Sequence, residues 1–329
     1  MPPILERPRS DSAPVLLRFC SGVLRGAPGR SPPRTFSARL SRQTFRVRGR
    51  PARLRSMTSS HPPLSADEAT RGPSSQLWDA HTAVRYDDTL GWMGTPEAVE
   101  PAVDLLEQLA DGGTALEFAV GSGRIAVPLA ARGVPVHGIE LSEPMVEQLR
   151  AKADAERIPV TVGDMATAHV PGRFSLVYLV YNTISNLLTQ QEQVACFRNA
   201  ARHLMPGGRF VVELGVPPLR RLPPGQLTCP FDVSEEHLGF DVIDPVTQRL
   251  TSYHHWPRRG EQGRSEQRYA WPAELDLMAQ MAGMELERRT ADWHGAEFTA
   301  DSEQHISVWR LPLGAAESPD PAAQTTRAP

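Results

Sequence analysis

The chain has 329 residues, 40% hydrophobic and 22% charged, an ordinary balance for a globular protein large enough to bury a core. No run approaches 18 apolar residues, which argues against a membrane-spanning helix. The cysteines Cys20, Cys196 and Cys229 have neither CxxC nor Cys/His ligand spacing, which argues against a zinc site or a disulfide scaffold and fits a reducing, cytoplasmic setting.

The net charge of −3 conceals an asymmetry. Residues 1–56 carry thirteen arginines and two acids, a balance of +11, and the remainder carries 22 basic and 36 acidic residues, or −14. An acidic body is a poor partner for a phosphate backbone, so no nucleic-acid partner is expected. Residues 1–56 are rich in Pro, Ser and Gly without apolar periodicity. They are expected to be a disordered leader, read either as a transit-like segment or as sequence upstream of a start at Met57. The body contains the single lysine of the chain, Lys152.

From residue 57 to 313 one domain is expected. Its first feature is LWDAHTAVRYDD (77–88). TPEAVEPAVDLLEQLA (95–110) places Val99, Val103, Leu106 and Leu109 near helical spacing. A strand at 114–120 then meets the glycine turn GSGRIA (121–126), which leads into a helix bearing Ile125, Val127 and Leu129. PVHGIEL (135–141) is a second strand, and Ser142 is placed to cap the helix EPMVEQLRAKA. PVTV (159–162) is a third strand. FSLVYLVY (174–181) has the unbroken apolar character of a strand buried on both faces. A helix at 189–204, then Pro-Gly-Gly, leads to a fifth strand at 209–216.

Strand and helix alternating four times with short links imply a parallel sheet covered by helices on both faces. The pattern then changes. FDVIDPVTQRLTSYHHW (240–256) reads as two antiparallel strands around Asp-Pro, EQRYAW (266–271) as a third, and RRGEQGRSEQR (258–268) as a solvated hairpin loop. This insert, about 217–271, precedes a helix at 273–283 and strands near 284–293 and 304–311. The tail, 314–329, is expected to be disordered.

The turn matches the dinucleotide pattern GxGxxA, so an NAD(P)-dependent oxidoreductase is one reading. Three acids at strand ends point elsewhere. Glu117, four residues before Gly121, would repel a pyrophosphate and suits a ligand's ammonium group. Glu140 ends strand 2, where a carboxylate accepts ribose hydroxyls. Asp164, in GDM after strand 3, suits an adenine amine, with Met165 packing on the ring. Ligands of such sheets bind at the carboxyl ends of the strands.

A cation, a ribose and an adenine amine without phosphate describe S-adenosylmethionine, and here the sequence resembles the class I S-adenosylmethionine-dependent methyltransferases. The family's (D/E)xGxGxG runs as Glu117, Ala119, Gly121 and Gly123, with Ala119 departing from glycine and expected to crowd the turn. GIELSEPMVEQLR, GDM and PGG match at the usual spacings, and the likeness covers about residues 75–311. It implies a Rossmann-like α/β fold, a mostly parallel seven-stranded sheet with helices on both faces and a small antiparallel insert after strand 5. It also implies that Tyr86 closes over the methionine end of the cofactor, the alternative being helix packing. Leu141, Met145 and Tyr181 complete the expected cofactor wall. Arg124 either holds the cofactor's carboxylate or faces solvent.

For the acceptor, Asn182 either meets substrate or satisfies its own turn. Trp78 and His81 are candidates for the same lid as Tyr86. Trp256, with Tyr253, Trp271 and Trp293, either walls a pocket or packs a sheet face. In-line displacement from sulfur needs no metal and no covalent intermediate. A general base is required only if the nucleophile must lose a proton, and His254 and His255 are the only candidates. The layout resembles small-molecule N- and C-methyltransferases, which implies a small-molecule acceptor. A cofactor-binding protein without turnover is a further alternative.

Overall fold

The computed structural model describes residues 80–152 and 155–314. The expectations for the leader at 1–56, for Trp78 and for all but the first residue of the tail lie outside the described residues.

Helix α1 (Ala80–Thr89) precedes α2 (Pro96–Ala110), whose Val99, Val103, Leu106 and Leu109 are all buried. Pro96 opens α2, where its missing N–H has no intrahelical partner to lose. Strands β1 (Ala115–Phe118), β2 (Val136–Glu140), β3 (Val160–Val162), β4 (Phe174–Leu179) and β5 (Leu204–Gly215) alternate with α3 (Ala126–Ala131), α4 (Glu143–Arg150) and α5 (Gln190–His203). β1 is buried along its whole length, as required of a central parallel strand. Ser142 caps α4, its Oγ accepting from the Met145 amide at 3.3 Å. Thr189 and Glu192 form a reciprocal capping box at the start of α5.

A four-stranded antiparallel sheet follows, built from β6 (Thr228–Val233), β7 (Leu238–Asp244), β8 (Arg249–Trp256) and β9 (Glu261–Arg268) in that order. The hairpin loop expected at 258–268 is therefore mostly strand. β9 pairs with β8 from Arg249↔Arg268 to Trp256↔Glu261. Its buried face carries Ser265 and Gln267 in place of apolar residues, which removes the alternation by which a strand is recognised. The third insert strand expected at 266–271 overlaps β9 only at 266–268, and β6 was not expected; it contains Pro230 and lies at the sheet edge, where a missing donor is tolerated.

Helix α6 (Pro272–Met281) returns the chain to the main sheet through β10 (Glu285–Thr290) and β11 (Gln304–Arg310). The main sheet has seven strands in the order β10-β11-β5-β4-β1-β2-β3, all running the same way except β11, which is antiparallel to both of its neighbours. Buried residues of α5 and α6 pack on one face with Phe118, Phe210 and Trp309; those of α2 and α3 pack on the other with Leu176 and Val211. Phe197 meets Phe210 and Trp309 edge-on at 5.1 and 5.2 Å, and truncating such a ring costs about 3–5 kcal/mol. Strand order reverses between β1 and β4, which opens a crevice at their carboxyl ends. Among the described residues, no helix is long and apolar enough to cross a membrane.

Candidate active site

The glycine turn bridges β1 and α3 with three left-handed residues, Ala119 (φ 52°), Gly121 (φ 56°) and Gly123 (φ 80°). Glycine adopts this region freely, and an alanine pays about 1–2 kcal/mol for it. At Gly123 a side chain is also excluded by contact, since a Cβ would lie 2.3 Å from Leu149 Cδ1. The departure at Ala119 thus takes the form of backbone strain.

Beside the turn, Glu140 at the end of β2 is 6% exposed. Its Oε2 accepts from the Gly121 amide and its Oε1 from the Ser142 amide, each at 2.9 Å. Burial raises its pKa, and these backbone donors pull it back down. Glu140 therefore braces the glycine turn while lining the cleft.

The cleft, counted together with the open solvent at its mouth, spans about 730 Å³. Of the residues expected to hold the cofactor, Tyr86, Ala119, Gly121, Glu140, Leu141, Met145, Asp164, Met165 and Tyr181 all line it. Asp164 Oδ1 accepts from the Ala166 amide at 2.7 Å, which fixes the carboxylate at the rim. Desolvation pushes the Tyr86 phenol above its usual range, so it stays neutral. The expectation for His81 concerns a side chain outside the described residues.

Of the expected residues seven stand outside the cleft wall, four of them on the main sheet and its loops. Gly123 shapes the turn from behind. Glu117 points into the α2–α3 side of the sheet, because neighbours along a strand face opposite ways. It accepts from Tyr178 Oη at 2.9 Å, and burial pushes its carboxyl up to about 8. A neutral acid turned away from the cleft does not meet a ligand's ammonium group, and this expectation is corrected. Arg124 neither faces solvent freely nor reaches the cleft; its guanidinium lies 5.2 Å from the Tyr181 ring centroid and donates to the Met93 carbonyl at 3.4 Å. Asn182 does not satisfy its own turn; its Oδ1 accepts from the Gly215 amide at the end of β5, at 2.6 Å.

Tyr181 and Asn182 are successive left-handed residues, at φ 57° and 59°. Glu213 on β5 holds this strained turn, its Oε2 accepting from the Tyr181 amide at 2.7 Å and its Oε1 from Trp293 Nε1 at 3.0 Å. Strain maintained by neighbouring structure is characteristic of functional positions. The one-turn 3-10 helix Thr183–Asn186 follows, and both its ends, Thr183 and Asn186, line the cleft. Sequence reasoning missed these two, although their i, i+3 spacing aligns side chains on such a turn. It also missed Ile139, Ser142, Gly163 and Leu187.

His254, His255 and Trp256 are not in the cleft wall either. His254 and Trp256 lie on the insert sheet with rings stacked 5.6 Å apart. His254 Nδ1 lies 3.1 Å from His237 Nε2, whose own Nδ1 lies 2.9 Å from Asp232. Burial, with His237 second, lowers the His254 pKa to about 4. His254, a weak base away from the cleft, is not placed to deprotonate an acceptor, and His255 lies outside the cleft wall as well, which corrects the expectation for both histidines.

Comparison with known proteins defines the class. A family model described as a methyltransferase domain matches residues 115–208. The solved CcbJ methyltransferase from Streptomyces caelestis is 37% identical, with a TM-score of 0.59 over 64% of this chain and 88% of that one. The cypemycin N-terminal methyltransferase of a Streptomyces species is 26% identical over 243 residues, covering 69% of this chain and 95% of the relative. The dTDP-3-amino-3,6-dideoxy-alpha-D-glucopyranose N,N-dimethyltransferase of Streptomyces fradiae is 27% identical over 212 residues, 63% of this chain and 76% of the relative.

The chain belongs to the class I S-adenosylmethionine-dependent methyltransferases. It is a methyltransferase enzyme whose cofactor is S-adenosylmethionine, and the oxidoreductase reading of the glycine turn is set aside.

Proposed function

We propose that this methyltransferase acts on a nitrogen atom of a small-molecule acceptor, with the cofactor lying along the cleft between Tyr86 and Asp164. The observation that carries the reading is Glu140. A buried carboxylate that is held by the Gly121, Ser142 and Leu141 amides and lines the cleft still has acceptor capacity for a ligand. Two ribose hydroxyls match that capacity. Asp164, held at the rim by the Ala166 amide, accepts from the adenine amine, and Met165 packs on the ring.

When bound, S-adenosylmethionine supplies an electrophilic methyl carbon that a nucleophile displaces from sulfur. The chain contributes geometry. The Tyr181 ring, fixed by the Glu213-supported turn and by Arg124, and the neutral Tyr86 phenol close the walls at the glycine-turn end. Thr183 and Asn186 offer a hydroxyl and an amide for orienting an acceptor. Holding reactants in line in a water-poor cleft supplies most of the acceleration available without covalent chemistry. Among the described residues, no carboxylate or imidazole beyond Glu140 and Asp164 lines this cleft, which suits an acceptor that arrives with its lone pair free.

Nitrogen is favoured because two relatives that the chain covers over most of their length carry N-methylation in their names, one at a peptide N-terminus and one on a nucleotide-linked amino sugar. The test is incubation with S-adenosylmethionine and a panel of amino sugars, nucleotide-linked amino sugars and free peptide N-termini, read by mass spectrometry. A gain of one or two methyl groups on an amine is expected. Transfer confined to hydroxyl or carbon acceptors in a matched panel would overturn the nitrogen assignment.

A further inference from the structure

The lone lysine of the chain is not in the cleft, yet its position links two of the elements that form it. Lys152 follows the C-terminus of α4, and its Nζ lies 2.7 Å from Asp87 Oδ2. Asp87 is the residue after Tyr86 on α1. Its other oxygen accepts from Ser122 Oγ at 2.6 Å, and Lys152 Nζ also donates to Ser122 Oγ at 3.3 Å. Ser122 is 1% exposed and lies between the two glycines of the turn, Gly121 and Gly123. Three groups from α1, the glycine turn and the end of α4 thus close a triangle in which each contacts the other two.

We propose that Lys152 is a positioning residue: through Asp87 and Ser122 it clasps α1 to the glycine turn, holds Tyr86 across the cleft, and thereby sets how long the cofactor stays bound. This rests on the reading that the cleft between Tyr86 and Asp164 holds the cofactor.

The geometry gives the clasp this role over simple surface pairing. α1 lies against α4 and carries one residue of the cleft wall, Tyr86, beside the clasped Asp87. Moving Tyr86 out of the cleft requires α1 to shift, and the clasp resists that shift directly. The turn it grips already bears left-handed strain at Ala119, so its conformation depends on its neighbours. The ion pair is also partly open, with side chains 31% and 40% exposed for Lys152 and Asp87. It is therefore weak enough to open during turnover and sensitive to salt.

The experiment measures dissociation of S-adenosylmethionine and S-adenosylhomocysteine from the full chain by stopped flow, at about 0.05 and 0.5 M salt. For Lys152→Met, about fivefold faster dissociation at low salt is expected, the upper range for an exposed pair. Asp87→Asn should act similarly, and the double variant should add little to either single change. Lys152→Arg should restore most of the residence time. Wild-type dissociation should quicken with salt, and that of Lys152→Met should not. A folded Lys152→Met with unchanged dissociation, or one as salt-sensitive as wild type, overturns the clasp. A lowered melting temperature without a change in dissociation also overturns it, because the triangle is then only structural. If the wild type binds neither compound, the reading of the cleft has failed, and that result is distinct from a wild type that binds normally with an inert Lys152.

Discussion

Replacing Glu117 by glutamine is expected to stabilise the protein at neutral pH. The carboxyl is 2% exposed, accepts from Tyr178 Oη, and has its pKa pushed up by burial to about 8 from 4.5. The folded value lies above the unfolded one, so at any pH between them the chain must take up a proton at this site to fold. The site's contribution to stability is complete below about pH 4.5 and falls as pH rises toward 8. Each pH unit in that window costs about 1.4 kcal/mol, or about 3 kcal/mol by pH 7. Glutamine is a neutral mimic of the protonated acid. Its Oε1 still accepts from Tyr178 Oη. The variant should therefore gain up to about 3 kcal/mol at pH 7, roughly 6–10 °C in melting temperature for a domain of this size. The gain should shrink to nothing by pH 4–5. Thermal unfolding of both proteins from pH 4.5 to 8.5 checks this. A variant less stable than wild type at pH 7, or a difference independent of pH, would mean that Glu117 is ionised in the fold, and the argument from burial would fail.

Ala119→Gly should relieve the left-handed strain at φ 52°, raising stability by about 1 kcal/mol with cofactor affinity equal or better; a fall in both melting temperature and affinity would mean that the Ala119 methyl contributes more by packing than its strain costs. Asn182→Ala should lower stability by about 1–3 kcal/mol, because the Gly215 amide loses its partner and alanine is forced into the left-handed region. An unchanged melting temperature with a raised acceptor KM would instead restore the substrate role for Asn182.

The parts of the site that could be read from the chain are those where local chemistry admits one solution. Gly121 and Gly123 were legible because the turn needs left-handed residues, and Glu140 because its offset from the glycines places it at the adjacent strand end. The box at Thr189 and Glu192 marks the start of α5 by the same kind of local rule. What was misread depends on partners distant in sequence. The direction of Glu117 follows from the phase of β1 against β4, which puts Tyr178 beside it 61 residues later. Asn182 is committed to an amide 33 residues away. His254 turns toward His237, which in turn meets Asp232, because β7 and β8 pair in a register that no local pattern encodes. The sequence pattern places the third insert strand at 266–271 and misses the start of β9 at Glu261, because the buried positions of β9 are polar and its periodicity has no apolar signal to carry it.

The central claim is that Glu140 and its cleft hold S-adenosylmethionine. Isothermal titration of the wild-type chain and of Glu140→Ala with S-adenosylmethionine, and with NAD as a control, tests it most directly. Each lost charge-assisted hydrogen bond to a ribose hydroxyl is worth about 1.5–3 kcal/mol, and about 1.4 kcal/mol is tenfold in affinity. The account predicts saturable binding of S-adenosylmethionine to wild type, no binding of NAD, and at least tenfold weaker S-adenosylmethionine binding by a folded Glu140→Ala. Binding that is unchanged in the folded variant, or a wild type that takes NAD and not S-adenosylmethionine, would contradict it.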